Sequence, residues 1–171
     1  MNKPSLSAPW RIDYIRTLDK PDGAACFLCD AVASSTDQEQ LRARLVLWTT
    51  DHCIVLINRF PYTNGHLLIA PRAHKADFEQ LSDAEQLDLQ TQTSRAIKLL
   101  KRAVSAQGFN IGINIGRCAG AGVPGHIHQH VVPRWAGDIN FMSVVGEVRV
   151  VPEAMSQLYA ELMRVKEELS H

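Results

Sequence analysis

Apolar and polar residues alternate along this chain in two rhythms, and the switches between them sketch the elements. LVLWTT (45–50) and CIVLIN (53–58) are runs rich in β-branched and large apolar residues, separated by Asp51-His52, and read as a hairpin. RFPYTNG (59–65) carries Pro and Asn-Gly, a turn signal, and HLLIAP (66–71) is a third strand stopped by Pro71. From Ser82 the rhythm lengthens. Ser82 with Glu85 forms an S-x-x-E capping box, and Ala96, Leu99, Leu100 and Ala103 follow helical spacing, predicting a helix to about 106 with Gly108 as its stop. FNIGINIG (109–116) and HIHQHVVP (126–133) read as strands joined by the glycine-rich loop RCAGAGVPG (117–125). Pro152 opens a last helix, 152–169, with Met155, Leu158, Leu162, Val165 and Leu169 on one stripe. Before the first strand, 1–24 reads as an irregular arm whose Trp10, Ile12 and Tyr14 could pack on the body, CFLCD (26–30) begins the ordered part, and a short polar helix or loop follows to 41. The expected architecture is α+β. An antiparallel sheet of about five strands carries one long helix and a C-terminal helix, all in a single domain over 1–171.

Composition narrows the function classes. Apolar residues make up 46 % of the chain, which is globular rather than disordered, and no apolar run is long enough to span a bilayer. Lys and Arg number 18 and Asp and Glu also 18. A zero net charge argues against a protein that coats DNA or RNA, while a small phosphorylated ligand needs only local positive character. The N-terminus lacks an apolar signal core, so a cytoplasmic protein is expected, with no membrane partner. Four cysteines then suggest metal ligation or plain burial rather than disulfides.

The chemistry gathers in GHIHQHVVPRW (125–135). Of seven histidines in the chain, three stand here at every second position. In a strand His126, His128 and His130 would share one face. One histidine alone is more often scaffold than catalyst; three on one face beside a glycine-rich loop are not. Two uses stay open at this point. All three could ligate one metal ion, or they could act on phosphate as nucleophile, general acid and cationic stabiliser near neutral pH. Separately, Cys26-x-x-Cys29 has the spacing of a zinc-binding thiol pair that needs two further ligands, such as histidines elsewhere. A thioredoxin-like redox pair would need a βαβ setting, which is absent. Cys53 lies in an apolar run and reads as core, and Cys118 receives no role. The loop 114–126 can present successive backbone N–H groups as an anion nest. It is neither a Walker A loop nor a Rossmann fingerprint, because it lacks the Gly-Lys-Ser/Thr ending and leads into a strand.

His126-Ile127-His128-Gln129-His130-Val131-Val132 resembles the motif of the histidine triad (HIT) family, His-φ-His-φ-His-φ-φ with φ apolar. INRFPYTNGHLL (57–68), CFLC (26–29), NIGRCAGAG (114–122) and HVVPRWAGDINFM extend the likeness over nearly the whole chain. They resemble the zinc-binding, diadenosine tetraphosphate phosphorylase-like members in bacteria. The resemblance implies a HIT-like fold and a nucleotidyl hydrolase or transferase acting on a nucleotide or dinucleoside polyphosphate. His128 would be the nucleophile at the α-phosphorus, with His130 contacting the phosphoryl oxygens and helping the leaving group. His66 would be a fourth imidazole behind them. Structural Zn²⁺ would be held by Cys26, Cys29, His74 and His126. Asn58 would meet the ribose, Phe60 and Ile57 the base, and Asn114 with Gly120, Ala121, Gly122 and Val123 the phosphates. A homodimer is implied, and no nucleic-acid polymer. Two positions depart from the pattern. Gln129 replaces an apolar residue, facing away from the histidines. Gly122 stands four residues before the first triad histidine, where the family often carries Gln or Ser. His130 separates the chain from the galactose-1-phosphate uridylyltransferases, which have Gln there. Other functions compatible with these residues are a zinc-stabilised nucleotide-binding module with little turnover and a hydrolase using the triad as metal ligands.

Overall fold

The computed structural model describes residues 26–34, 37–138 and 154–170. The arm at 1–24 with Trp10, Ile12 and Tyr14, the stretch after Asp138 and Pro152 itself lie outside the described residues. Five strands, β1 (Val46–Thr49), β2 (Cys53–Ile57), β3 (Leu67–Pro71), β4 (Gly108–Ile113) and β5 (Gln129–Arg134), form one sheet in the order β1-β2-β3-β5-β4. Every neighbouring pair is antiparallel. Two short helices, α1 (Phe27–Ala33) and α2 (Gln38–Ala43), precede the sheet. The long helix α3 (Asp83–Ala103) connects β3 to β4, and α4 (Met155–Glu168) follows the sheet. The α+β architecture expected from the sequence, a five-stranded antiparallel sheet with one long and one C-terminal helix, is the one observed.

β2 and β3 are buried at every position because both of their faces are covered. That explains why CIVLI and LLIAP are continuous apolar runs rather than alternating ones. On one face Val55, Ile57, Leu67, Ile69 and Val131 pack against Leu89, Ala96, Leu99 and Leu100 of α3 and Leu158, Leu162 and Val165 of α4. On the other, Ile54, Leu56, Leu68 and Ala70 pack against Leu28 and Ala31 of α1. The triad strand therefore has a core side and an opposite side, and the histidines take the latter.

The capping box at Ser82 forms as expected. Ser82 Oγ accepts the Glu85 N–H, and the Ser82 N–H donates to Glu85 Oε2 at 2.7 Å. Glu85 Oε2 also accepts Lys75 Nζ at 2.6 Å, which holds the carboxyl down at about 2 despite its burial. This one carboxylate ties the start of α3 to the segment that carries His74. Glu85→Ala is expected to cost about 2 kcal/mol, combining a lost cap with a lost charged hydrogen bond; a urea midpoint unchanged from wild type would contradict it.

Three boundaries differ from the sequence expectation. α3 ends at Ala103, where Ser105 takes a left-handed φ of 52° and breaks the helix, and Gly108 opens β4 instead of capping α3. β5 begins at Gln129, so His126 and His128 lie just ahead of the strand rather than in it. Their backbone is held there by His126 N–H to Val123 O and Ile127 N–H to Lys75 O, the latter at 2.7 Å. Leu169, placed on the buried stripe of the last helix, is 53 % exposed and lies just beyond the end of α4 at Glu168.

Candidate active site

Residue His130 is paired with Leu68 of β3 on one side and Gly112 of β4 on the other. Gln129, one position earlier, points to the core side. Its Nε2 donates to Thr93 Oγ1 of α3 at 2.6 Å, so the polar residue at this motif position is satisfied away from the histidines.

His128 is 5 % exposed, and its Nδ1 lies 2.8 Å from the carbonyl oxygen of His126. A carbonyl only accepts, so Nδ1 carries the hydrogen and Nε2 keeps its lone pair. Burial lowers the affinity of His128 for a second proton below that of an ordinary histidine, keeping the ring neutral.

His130 Nδ1 lies 3.0 Å from His66 Nε2. His66 is fully buried, and its Nδ1 accepts the Tyr62 backbone N–H at 3.1 Å. His130 Nε2 is buried with no hydrogen-bond partner among the described residues. Such an atom points to a ligand that completes it. The four rings Tyr62, His66, His130 and His128 follow one another in contact, with Tyr62 stacked on His66 at 4.8 Å between centroids, His130 tilted to His66 at 5.1 Å and His128 edge-on to His130 at 5.1 Å. Tyr62, inside the RFPYTNG turn, carries no signal of its own in the sequence; only the folded hairpin brings its ring onto His66.

Burial, then the neighbouring His128, pushes the His130 pKa down to about 4. The folded protein thus keeps this ring neutral where an unfolded chain, with an ordinary value near 6.5, takes up a proton. Stability contributed by this group is present above pH 6.5 and is lost as pH falls toward about 4, at no more than about 1.4 kcal/mol per pH unit. Thermal melts between pH 7 and 4 are expected to show a shallower decline in His130→Gln than in wild type; parallel curves would refute the assignment.

His126 turns to a different cluster. Its Nδ1 lies 3.3 Å from Cys26 Sγ and 3.5 Å from Cys29 Sγ, while His74 Nδ1 lies 3.1 Å from Cys29 Sγ. The four donor atoms fall within 4.8 Å of one another. A tetrahedral zinc with ordinary Zn–S and Zn–N bonds separates sulfur from nitrogen by about 3.6 Å, so this donor set fits that ion closely. Cys26 is the N-cap of α1 and Cys29 lies one turn later, which brings both sulfurs to one side. His126 Nε2 donates to Pro71 O at 2.8 Å, leaving Nδ1 as the ligating atom. A Cβ at Gly125 would sit 3.2 Å from His74 Nε2, so glycine there leaves room for the second imidazole. Among the described residues no metal-binding cluster joins His126, His128 and His130. His126 has both nitrogens engaged elsewhere, and the three-histidine ion finds no support.

The remaining expected contacts divide. Phe60, 52 % exposed, stands at the rim of the site. Ile57 does not come to that face: it is 2 % exposed and packs in the core beneath α3, because alternation along β2 sends it opposite to Leu56. Asn58 does reach His66, its Nδ2 lying 3.2 Å from Nδ1. In the loop, Gly116 and Gly120 take φ of 78° and 85° around a 3-10 turn, Arg117–Ala119. The N–H groups of Gly120 and Ala121 close that turn on Arg117 O and Gly116 O. Gly122 and Val123 donate no backbone hydrogen bond among the described residues, which leaves their N–H groups available to an anion. Asn114 is half-buried at the loop's entrance. Cys53 is fully buried, as expected for core, and Cys118 is exposed.

Residues 40–137 match the HIT domain family. This chain belongs to the histidine triad family. Among curated HIT relatives, the chain is 39 % identical over 100 residues to the AP-4-A phosphorylase of Mycobacterium tuberculosis, covering 58 % of this chain and 51 % of that protein. It is 32 % identical over 95 residues to the asymmetrical bis(5'-nucleosyl)-tetraphosphatase of Schizosaccharomyces pombe, covering 56 % and 52 %. The chain thus spans about half the length of these HIT relatives. Among solved structures, a Zn-bound histidine triad family protein from Mycobacterium smegmatis superposes with a TM-score of 0.67 at 24 % identity, covering 85 % of this chain and 96 % of that one. It shares the HIT fold.

Proposed function

We propose that this HIT protein is a nucleotidyl hydrolase or transferase that cleaves a nucleoside phosphate, such as a dinucleoside polyphosphate, at the α-phosphorus. The observation that carries this reading is His128, a buried neutral imidazole with Nδ1–H fixed on a carbonyl and Nε2 left free. In the first step Nε2 attacks phosphorus, a P–N bond forms, the bond to the bridging oxygen breaks, and the other half of the substrate leaves. His130 Nε2–H hydrogen-bonds that departing oxygen. In the second, water or phosphate displaces His128 and restores the free ring. Splitting one displacement into two lowers each barrier. The N–H groups of Gly122 and Val123, with Asn114, would meet the equatorial oxygens, whose charge grows in the transition state. Asn58 would reach the ribose and the exposed Phe60 ring the base.

Cys26, Cys29, His74 and His126 would hold zinc, which when bound closes a four-ligand structural site and fastens the β3–α3 segment and the triad's first residue to α1. The chain is also expected to pair with a second copy. The apolar stripe of α3 at Ala96, Leu99 and Leu100 is buried within its own protomer, while Leu87 on the same helix is 70 % exposed. The edge strand β4 and the residues after it leave Ile111 46 % and Ile115 43 % exposed, and a monomer by light scattering would refute a dimer. No described helix is long and apolar enough to cross a membrane.

The deciding experiment is incubation with a dinucleoside tetraphosphate, with and without inorganic phosphate. Nucleoside diphosphate formed only with phosphate means phosphorolysis, and monophosphate formed without it means hydrolysis. Binding with no product in either arm overturns the enzymatic reading and leaves a binding module.

A further inference from the structure

At the end of the β2–β3 hairpin, Asn58 and His66 face each other. The Asn58 N–H donates to His66 O at 2.9 Å, so the two backbones are locked in register. The Asn58 side chain then turns back on its own loop: Oδ1 accepts the Phe60 N–H at 2.9 Å. This bond fixes which end of the amide is which, since a flipped amide would set its NH₂ against another N–H. Nδ2 is therefore the atom that faces His66 Nδ1 at 3.2 Å, and it donates.

His66 Nδ1 also receives the Tyr62 backbone N–H. Two donors converge on one nitrogen, and a backbone N–H admits no other role. Nδ1 is thus an acceptor, and neutral His66 carries its hydrogen on Nε2. That hydrogen points at His130 Nδ1, 3.0 Å away, which must accept in turn. Neutral His130 then has its hydrogen on Nε2, the buried atom with no hydrogen-bond partner among the described residues. One amide orientation propagates through two rings and emerges as a hydrogen-bond donor facing the substrate.

We propose that Asn58 is a positioning residue that holds His66 as its Nε2–H tautomer and so keeps the hydrogen of His130 on the nitrogen that meets the leaving group. The role is distinct from a ribose contact and rests on the proposed reaction only for its kinetic consequence. Asn58→Asp is the sharpest probe, because it swaps a donor for an anionic acceptor of the same shape. The carboxylate would draw a hydrogen onto His66 Nδ1, where Tyr62 N–H already points, and leave His130 Nδ1 without a dependable donor.

The test uses the full chain labelled with ¹⁵N-histidine, zinc-loaded and free of nucleotide, read by long-range ¹H–¹⁵N correlation at pH 7.5. Wild type is expected to show His66 and His130 both as Nε2–H tautomers, and Asn58→Asp to show His66 protonated on Nδ1. A wild-type spectrum with His66 hydrogen on Nδ1 overturns the proposal, and needs no variant to fold. So does an Asn58→Asp spectrum identical to wild type. Where a dinucleoside tetraphosphate is turned over, kcat should fall about 100-fold in Asn58→Asp and about tenfold in Asn58→Ala, where Tyr62 N–H remains, in addition to any rise in KM from the lost ribose contact. A rise in KM at constant kcat would mean a ribose contact alone and would overturn the positioning role. Absence of turnover in wild type strikes the proposed reaction, while the spectra still decide on Asn58.

Discussion

His128→Ala should lower turnover of a dinucleoside polyphosphate by at least about 10⁴-fold while leaving nucleotide affinity within a few-fold. The size follows from the role. No other described side chain at this site offers a free imidazole lone pair on a ring whose second nitrogen is fixed by a carbonyl. His130 presents a hydrogen instead, and His66 is fully buried behind it. Binding should survive because the proposed contacts to base, ribose and phosphates come from Phe60, Asn58, Asn114 and the loop. Rapid quench with nucleotide labelled at the α-phosphorus should capture an acid-labile adduct on wild type and none on the variant. Turnover at the wild-type rate, or an adduct on another residue, would remove the mechanism.

Cys26→Ser should lose zinc and several kcal/mol of stability, with a smaller effect on turnover per folded molecule. Without a cation, burial and the adjacent Cys26 thiol push Cys29 up to about 11. A bound zinc would reverse this, because the ion deprotonates its sulfur ligands outright. A bound metal would gather α1, the segment after β3 and the start of the triad. Its reach toward the chemistry would be a single backbone group: the His126 carbonyl that orients His128 belongs to a residue held by Pro71 O through Nε2, whose Nδ1 would ligate the ion. Metal content and thermal melts of wild type, Cys26→Ser and chelated protein give the comparison. A zinc-free variant as stable as wild type would refute the structural site.

Much of this site was legible because its spacing is short. A two-residue spacing keeps His126, His128 and His130 near one another along the chain, although only His130 lies in β5, and Cys-x-x-Cys spans one helical turn. The Ser82–Glu85 box is also a purely local bond pattern. Ile57 shows the limit. Its neighbour Leu56 and its own position both read as apolar strand, and only the covering of β2 by α3 on one face and α1 on the other decides which of them leaves the histidine side. The same is true of Gly108, which a helical pattern takes as a stop although Ser105 performs that task with a left-handed backbone.

By itself, then, the sequence determined the chemistry available: which imidazoles, thiols and glycines stand within a few residues of one another, and the period of each element. Tertiary structure alone decided the partition of that chemistry, sending His126 to the thiols of α1, about 100 positions away, and His130 to His66 across the sheet. The reason is physical. A side chain's face is set by its own neighbours in the chain, but its hydrogen-bond partner, and hence its tautomer, is set by whichever distant strand or helix the buried apolar faces bring against it.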